Sequence, residues 1–389
     1  MTLVTVHEVA QALRARYLQG SRKEKAKILD EFCQTTGLHR KAAIRLLRRG
    51  VGPRDAKRKG RPLRYGPEVV DALRPLWEAG DRLCGKLLRA VIPDLLAALE
   101  RHGELRVTSQ VRGALLSISP ATIDRLLRPS RRALGRQPRR QSPPTTSLKA
   151  QIPIRTWSDW TDAKPGSLQA DLVLPCGEST DGFFLTTLTA VDVATGWTEL
   201  QPVYGMGKRR VSAAIHHIRQ RLPFALRELH TDNGSEFINH TLRLWCLEEK
   251  IACTRGRGYH KNDQSYVEQR NWLGVRRQVG YHRYNSRPAQ EAMQRLYALL
   301  RLQMNFFRPV SKLISKERRG ARVTKRYDTP KTPYKRLLES GVLDELMQAQ
   351  LERQLQAINP LALQRRIEQA LRRLWSLTAR REELNTKFG

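Results

Sequence analysis

Asp171, Asp232 and Glu268 are the residues of this sequence whose types and spacing best suit chemistry. Asp171 stands in Leu-Gln-Ala-Asp-Leu-Val and Asp232 in Glu-Leu-His-Thr-Asp-Asn-Gly-Ser-Glu-Phe. Glu268 stands in Lys-Asn-Asp-Gln-Ser-Tyr-Val-Glu-Gln-Arg-Asn, so that 35 residues, 233 to 267, separate the last two. Three carboxylates brought to one sheet edge repel one another unless cations sit between them. Two Mg²⁺ ions held about 3.5–4 Å apart are the usual solution, and they clamp both the attacking and the leaving oxygen of a displacement at phosphorus. Each acid has a plainer role when taken singly. An Asp at a strand end caps a turn, Asn233-Gly234 is a turn signal in its own right, and a lone Glu268 suits a solvated helix face. The chemistry rests on the joint occurrence.

These acids need elements to carry them. From residue 152 to about 310 the pattern alternates between strands and helices. Leu168 to Leu174 reads as a strand, Phe183 to Val193 as a second, and Gly196 to Leu200 opens a third after a turn. Val211 to Leu222 is a helix, Leu226 to Thr231 a short strand delivering Asp232, and Phe237 to Lys250 a helix. Ile251 to Thr254 is a strand, and a long helix starts at Ser265 and carries Glu268. Three other acids compete. Asp192 reads as the cap of the turn that follows it, Glu236 as a cap or DNA-proximal residue of the next helix, and Asp263 as a loop residue.

The flanking residues and the spacing of 35 resemble the Asp-Asp-Glu signature of retroviral-type integrases and the insertion-sequence transposases related to them. The resemblance covers roughly residues 150–310 by motif and the whole chain more loosely. It implies an α/β catalytic core of the ribonuclease H-like fold, a mixed five-stranded sheet with flanking helices. Asp171 would lie mid-sheet on the first strand, Asp232 at the tip of the fourth and Glu268 on the helix beside them. It implies two Mg²⁺ ions, with Mn²⁺ able to substitute. Asp171 would bridge both, Asp232 and Glu268 would hold one each, and waters with the scissile phosphate would complete the shells. The implied activity is that of a DDE transposase, which binds DNA ends, cleaves at the 3′ end and transfers the strand to target DNA. Water and then a DNA 3′-hydroxyl would attack phosphorus, with no covalent protein–DNA intermediate. The implied partners are double-stranded DNA (element ends and target), further copies of the chain in a homodimer or higher synaptic oligomer, and a helper ATPase. Two alternatives stay open: a nuclease of the same fold that does not join DNA, and a catalytically silent DNA-binding protein derived from a transposase.

Residues beside the acids follow the same reading. Asn271 and Trp272 lie three and four positions after Glu268, on the same helix face; Asn271 would touch the scissile phosphate, and Trp272 reads as core. The basic loop before Glu268 contains Arg257 and Lys261, suited to a DNA strand held by phosphates. The related proteins often carry a Pro-Gly element in this loop, where Gly256 and Gly258 stand here.

Composition agrees. The chain has 389 residues with 71 Lys and Arg against 37 Asp and Glu, a formal charge of +34 and a pI near 10.9. So basic a chain calls for a polyanion partner. A short, low-complexity packaging protein is excluded, because 40% of the residues are hydrophobic and seven are Trp, enough for two to three domains with real cores. The five cysteines, at 33, 84, 176, 246 and 253, form no Cys-x-x-Cys. That supports neither a zinc module nor a disulfide framework, and suits a reducing cytosol; the resemblance to insertion-sequence transposases implies a cytoplasmic, nucleoid-associated setting in a bacterium. Residues 1–10 lack the apolar stretch of a signal peptide, and no run of about 18 apolar residues suggests a membrane span.

The remaining segments frame the core. Residues 1–50 read as a helix-turn-helix: a break at Thr35-Thr36-Gly37 precedes a helix with Arg40, Lys41 and Arg45 suited to a major groove. Residues 51–66 form a basic linker whose Arg58-Lys59-Gly60-Arg61-Pro62 resembles an AT-hook, with Arg58 and Arg61 fitting a narrow minor groove; a plain solvated linker fits equally. Residues 67–128 form a second helical, helix-turn-helix-like unit. Its last helix is capped by Ser119-Pro120 and exposes Arg125 toward DNA. Residues 129–150 are a Pro- and Arg-rich linker and 151–310 the catalytic core. Residues 311–389 are a basic segment, read as a small β unit or DNA-clamping tail, followed by helices broken at Asn359-Pro360.

Overall fold

The computed structural model describes residues 2–50, 65–133, 163–177, 182–232, 234, 236–237, 239–256 and 264–378. The chain divides into two compact units, Met1–Arg64 and Tyr65–Gly389.

The first unit contains three helices: α1 (Leu3–Gln19), α2 (Arg22–Thr36) and α3 (Arg40–Arg49). Ser21 and Glu24 form a reciprocal capping box that starts α2. Gly37 ends it at φ +70°, a conformation cheap only for glycine, so the Thr-Thr-Gly break lies where the sequence places it. Val6, Ala10, Tyr17, Ile28, Leu29, Phe32, Ala43 and Leu47 bury together. On α3, Ala43 and Leu47 are buried in that core and Ile44 and Leu46 pack partly against it, which leaves Arg40, Lys41, Arg45, Arg48 and Arg49 exposed.

The second unit opens with α4 (Pro67–Ala79), α5 (Gly85–Arg101), α6 (Ser109–Ser117), α7 (Pro120–Leu126) and α8 (Arg128–Ala133). Ser119 accepts from the Thr122 amide and Pro120 takes the first helical position, as the sequence indicates. Gly85 is required where α5 meets α7, because a Cβ there would lie 2.2 Å from the Pro120 carbonyl.

A five-stranded sheet follows. Its strands are β1 (Ser167–Val173), β2 (Leu185–Asp192), β3 (Thr198–Tyr204), β4 (Glu228–Thr231) and β5 (Ala252–Arg255), in the order β3-β2-β1-β4-β5. β1–β2 and β2–β3 are antiparallel, whereas β1–β4 and β4–β5 are parallel. The mixed sheet, its order and its flanking helices agree with the ribonuclease H-like core expected from the motifs. The parallel pairs require crossovers, which α9 (Lys208–Arg221) and α10 (His240–Glu248) provide.

Strand alternation then sorts the residues of β1 by face. Leu168, Ala170 and Leu172 join Val211, Ile215 and Leu242 in the core under α9 and α10. Gln169, Asp171 and Val173 point to the other face. That face is covered by α11 (Ser265–Arg270), a π-helical segment at Asn271–Arg276, α12 (Arg277–Val279) and α13 (Arg287–Leu302). β2 is buried along its whole length because both faces are covered, so its threonines find internal partners. The Thr186 hydroxyl donates to the Val203 and Gly205 carbonyls, and Thr187 pairs with the Tyr297 hydroxyl.

The expected long helix from Ser265 is interrupted. After Arg270 the backbone widens into the π-helical segment, a feature that recurs at functional sites. A second π-helical segment, Gln303–Phe307, ends α13. Beyond it come the hairpin β6 (Leu313–Arg319) and β7 (Arg322–Tyr327), then α14 (Pro333–Glu339), α15 (Glu345–Ala357) and α16 (Pro360–Trp375), with Asn359 capping α16 at the expected break. Leu363, Ile367, Leu371 and Leu374 of α16 share one core with Leu76 of α4, Leu95 of α5 and Leu296 of α13. At the turn between α4 and α5, Asp81 receives Arg277 at 2.9 Å and also pairs with Arg308 at 2.5 Å. Among the described residues no helix is long and apolar enough to cross a membrane.

Candidate active site

The parallel register sets Ala170 beside Thr231, so the next residues, Asp171 and Asp232, emerge as neighbours where β4 ends. Asp171 remains within β1, opposite Thr189 of β2. The Leu172 amide donates to its Oδ1 at 2.8 Å and Asn271 Nδ2 to its Oδ2 at 2.6 Å. Asp232 lies just past β4, where its Oδ1 accepts the Gly234 amide at 2.9 Å and shapes the turn.

Glu268 is carried on α11, which is fastened to the sheet at three points. The Val267 amide donates to Gln169 Oε1 of β1 at 3.3 Å. Buried Arg270 donates to the Gly196 carbonyl at 3.2 Å. Asn271 is bonded to Asp171. Glu268 itself stays exposed, and its charge reaches Asp171.

The electrostatics follow from this crowding. Burial, then the Asp232 charge and, more weakly, Glu268, push the Asp171 carboxyl up from 3.8 to about 7 against the hydrogen bonds from Leu172 and Asn271. Burial also raises Asp232. Two half-buried carboxylates at adjacent strand ends, with a third nearby, are poorly compatible with full ionisation, and a divalent cation would relieve that. Among the described residues no three His, Cys, Asp or Glu side chains are gathered tightly enough to enclose a metal ion by themselves. The donor set nonetheless fits Mg²⁺, a hard cation that takes one or two carboxylates and completes its shell with water and substrate phosphate. Asn271 Oδ1 and the Thr189 hydroxyl, both beside Asp171 in register or by contact, are buried with no hydrogen-bond partner among the described residues, which leaves polar capacity at this point.

The competing acids separate. Asp192 is structural, as expected: its Oδ2 accepts from the Thr195 amide at 2.7 Å and hydroxyl at 2.6 Å, and its Oδ1 accepts from the Gly166 amide at 2.8 Å. Burial pushes it up to about 6. Glu236 does not cap the next helix; Asn239 does, accepting the Leu242 amide at 2.9 Å. The Glu236 carboxyl instead folds over Gly234, where a Cβ would lie 2.5 Å from its oxygen. Burial and the Asp232 charge both raise it, so it belongs to the edge of the site. The signal for this was an acid four residues after Asp232 across a glycine-containing turn.

Trp272 is 39% exposed and is not a core residue; it lies four positions after Glu268, which is exposed as well. Arg270, which sequence reasoning passed over, is buried and its guanidinium is pushed down to about 9 by burial. Among the expected DNA-contacting residues, Arg40, Lys41 and Arg45 are exposed in the first unit, with Arg40 ion-paired to Asp30. Arg125 is exposed on α7. Arg58, Arg61, Arg257 and Lys261, with Asp263, lie outside the described residues. Asn271 faces Asp171, so its nearest partner is the carboxylate whose substrate it was expected to touch.

Comparisons with known proteins give one strong likeness. The chain is 44% identical over 336 residues to a protein of Sinorhizobium fredii (strain NBRC 101917 / NGR234) described as "Uncharacterized protein y4rM", covering 86% of this chain and 96% of that one. No family model matches. Among solved structures, the catalytic core domain of BIV integrase is 21% identical and aligns with 45% of this chain and 95% of its own, at a TM-score of 0.28. A score that low bears on neither fold nor function.

Proposed function

The chain belongs to the family of the uncharacterized protein y4rM, and we propose that it is a Mg²⁺-dependent polynucleotidyl transferase, a DDE transposase that processes DNA ends and joins them to target DNA. The observation that carries the reading is the meeting of Asp171 and Asp232 at adjacent parallel strands, with Glu268 on the helix against them.

Asp171, Asp232 and Glu268 would hold the metal. When bound, Mg²⁺ supplies Lewis acidity at phosphorus and lowers the pKa of a coordinated oxygen nucleophile. The protein's own part is placement. β1 and β4 hold two acids rigidly, and the Gln169–Val267 and Arg270–Gly196 bonds fix the third. Asn271 orients Asp171 by bonding one oxygen and leaving the other turned to the Leu172 amide. Glu236 adds negative charge at the rim, which disfavours phosphate unless a cation is present. The exposed cations of α3 and Arg125 of α7 would hold duplex DNA by its phosphates. Joining two ends calls for a second copy of the chain.

The test is a strand-transfer assay with purified protein, Mg²⁺ and labelled DNA carrying the sequences that flank its gene, run beside Asp232→Asn. Joined products that disappear in the variant support the reading. Cleavage without joining would make it a nuclease. Salt-sensitive binding with no chemistry in either protein would refute the transferase assignment.

A further inference from the structure

The hairpin β6–β7 is an element that the carboxylate site leaves unexplained. Between Leu313 and Tyr327 the sequence has six Lys or Arg and one Glu, a net charge of +5 in 15 residues. The whole chain has +34 in 389, so this segment is several times more basic than its surroundings. Every residue from Glu317 to Tyr327 is exposed, on both faces of the ribbon. Ile314, Val323 and Tyr327 are 67%, 43% and 46% exposed, so the ribbon has no apolar face turned to a core. A lone two-stranded hairpin is marginal in water, and like charges set opposite each other weaken it further. The register sets Arg319 opposite Arg322.

The root of the ribbon, by contrast, is firmly mounted. The Lys312 amide donates to Asp328 Oδ1 at 2.6 Å and the Asp328 amide to the Lys312 carbonyl at 2.9 Å. Arg336 pairs with Asp328 at 2.6 Å, and Lys86 lies 5.7 Å from the centre of the Tyr327 ring. Lys312 also donates to the Ala194 carbonyl in the β2–β3 turn. That turn is at the end of the sheet away from the carboxylates, since Asp192 pairs with Leu168 and Thr189 with Asp171. The molecule thus holds out a rigidly rooted, doubly exposed basic arm at a distance from the catalytic edge.

We infer that β6–β7 is a duplex-DNA reader that inserts into a major groove away from the scissile phosphate. The B-form major groove admits a two-stranded β-ribbon. Seven residues of β6 span about 23 Å, roughly two-thirds of a helical turn of DNA. Arg318, Arg319, Arg322 and Arg326 supply charge for phosphates and guanine edges, and Val323 and Ile314 supply apolar contact for thymine methyls. Pairing of the ribbon edge with a second copy of the chain is disfavoured, because two segments of +5 would repel. The inference rests on the DNA-processing reading only for the class of polyanion.

The experiment measures binding of the full-length protein to a labelled 24-base-pair DNA duplex and to an RNA duplex of equal length, across KCl concentrations. Each lost phosphate contact reduces the slope of log affinity against log salt by about 0.9. The fourfold variant Arg318→Gln, Arg319→Gln, Arg322→Gln, Arg326→Gln should therefore lose roughly 3 to 4 from the DNA slope. It should also lose protection of guanine N7 from methylation. RNA binding should change little, because the A-form major groove is too narrow for the ribbon. The single variant Thr324→Arg, at an exposed position opposite Glu317, should raise the DNA slope by about 0.9. An unchanged DNA slope in both variants, an equal loss on RNA, or an altered oligomeric state with DNA binding intact would overturn the inference. If wild-type protein joins DNA while the ribbon variants bind with unaltered slope, the ribbon inference fails alone. If wild-type protein binds no duplex even at low salt, both readings fail.

Discussion

Replacing Asp232 by Asn removes one of two half-buried charges that confront each other on neighbouring strands, and should strengthen the metal-free fold while abolishing the proposed chemistry. The Asp171 carboxyl is raised from 3.8 to about 7, equivalent to about 4 kcal/mol between its protonated and ionised forms. A raised acid favours folding when it is protonated. Its contribution is complete below the unfolded value of 3.8 and is lost as pH rises through about 7. Burial is the leading cause and the Asp232 charge the second, so relief of the repulsion is worth on the order of 1–2 kcal/mol of those 4. Asn at 232 retains an oxygen for the Gly234 amide, so the turn is kept. In EDTA at pH 8, Asp232→Asn should therefore melt higher than wild type, at about 2–4 °C per kcal/mol. At pH 5, where Asp171 is protonated, the two should nearly coincide. Saturating Mg²⁺ at pH 8 should reverse the order, because only wild type gains a full complement of ligands. Circular dichroism melts at both pH values, with and without metal, provide the readout. A variant less stable than wild type at pH 8 in EDTA, or one with the same pH dependence, would refute the reasoning.

Two further outcomes are expected. Asn271→Ala should lower strand joining about 10- to 100-fold, the usual cost of removing the partner that orients a metal-binding carboxylate, with the far-ultraviolet spectrum unchanged; joining at the wild-type rate would show that the 2.6 Å bond to Asp171 is dispensable. Asp81→Ala strands Arg308, only 9% exposed, and Arg277 without their anion, and should cost about 3–5 kcal/mol in denaturant unfolding. Arg287→Ala, whose partner Glu291 is at the surface, should leave the transition in place, so equal effects would contradict the burial argument.

The sequence located the strand ends that matter because alternation and turn residues are local signals. β1, β4 and Asp232 fall where the apolar runs and Asn233-Gly234 put them, within one or two residues. Asp192 and the break at Asn359-Pro360 are legible for the same reason, although the break alone does not name Asn359 as the cap. What could not be read was the partner of each surface. The leucines of α16 show a stripe, but nothing in a stripe says that it packs on α4, α5 and α13. Arg270 looks like any surface arginine of a basic helix until the β2–β3 turn presents the Gly196 carbonyl to it. Glu199 was read as a strand residue, yet it is buried with Arg301 at 2.5 Å and Arg221 at 3.2 Å, an ion cluster assembled from three elements. The π-helical segment at Asn271–Arg276 escaped because an extra residue in a turn leaves the apolar pattern nearly intact.

The parallel pairing of β1 with β4 also governs when the three acids can first meet. Ser167 must find Glu228, 61 positions away, and Asn271 must reach back 100 positions to Asp171. Such long loops close late, after the local hairpin β1–β2–β3 has formed. During synthesis the three acids therefore exist for many seconds as separate, harmless side chains, since a ribosome adds only about 5–20 residues each second. If the proposed function holds, cutting competence would arrive with the last long-range contacts rather than with any one motif. A prematurely terminated chain lacking α11 has two of the acids without Glu268, and on the proposed reading a nascent chain of this build would be silent toward nearby DNA until its core has closed.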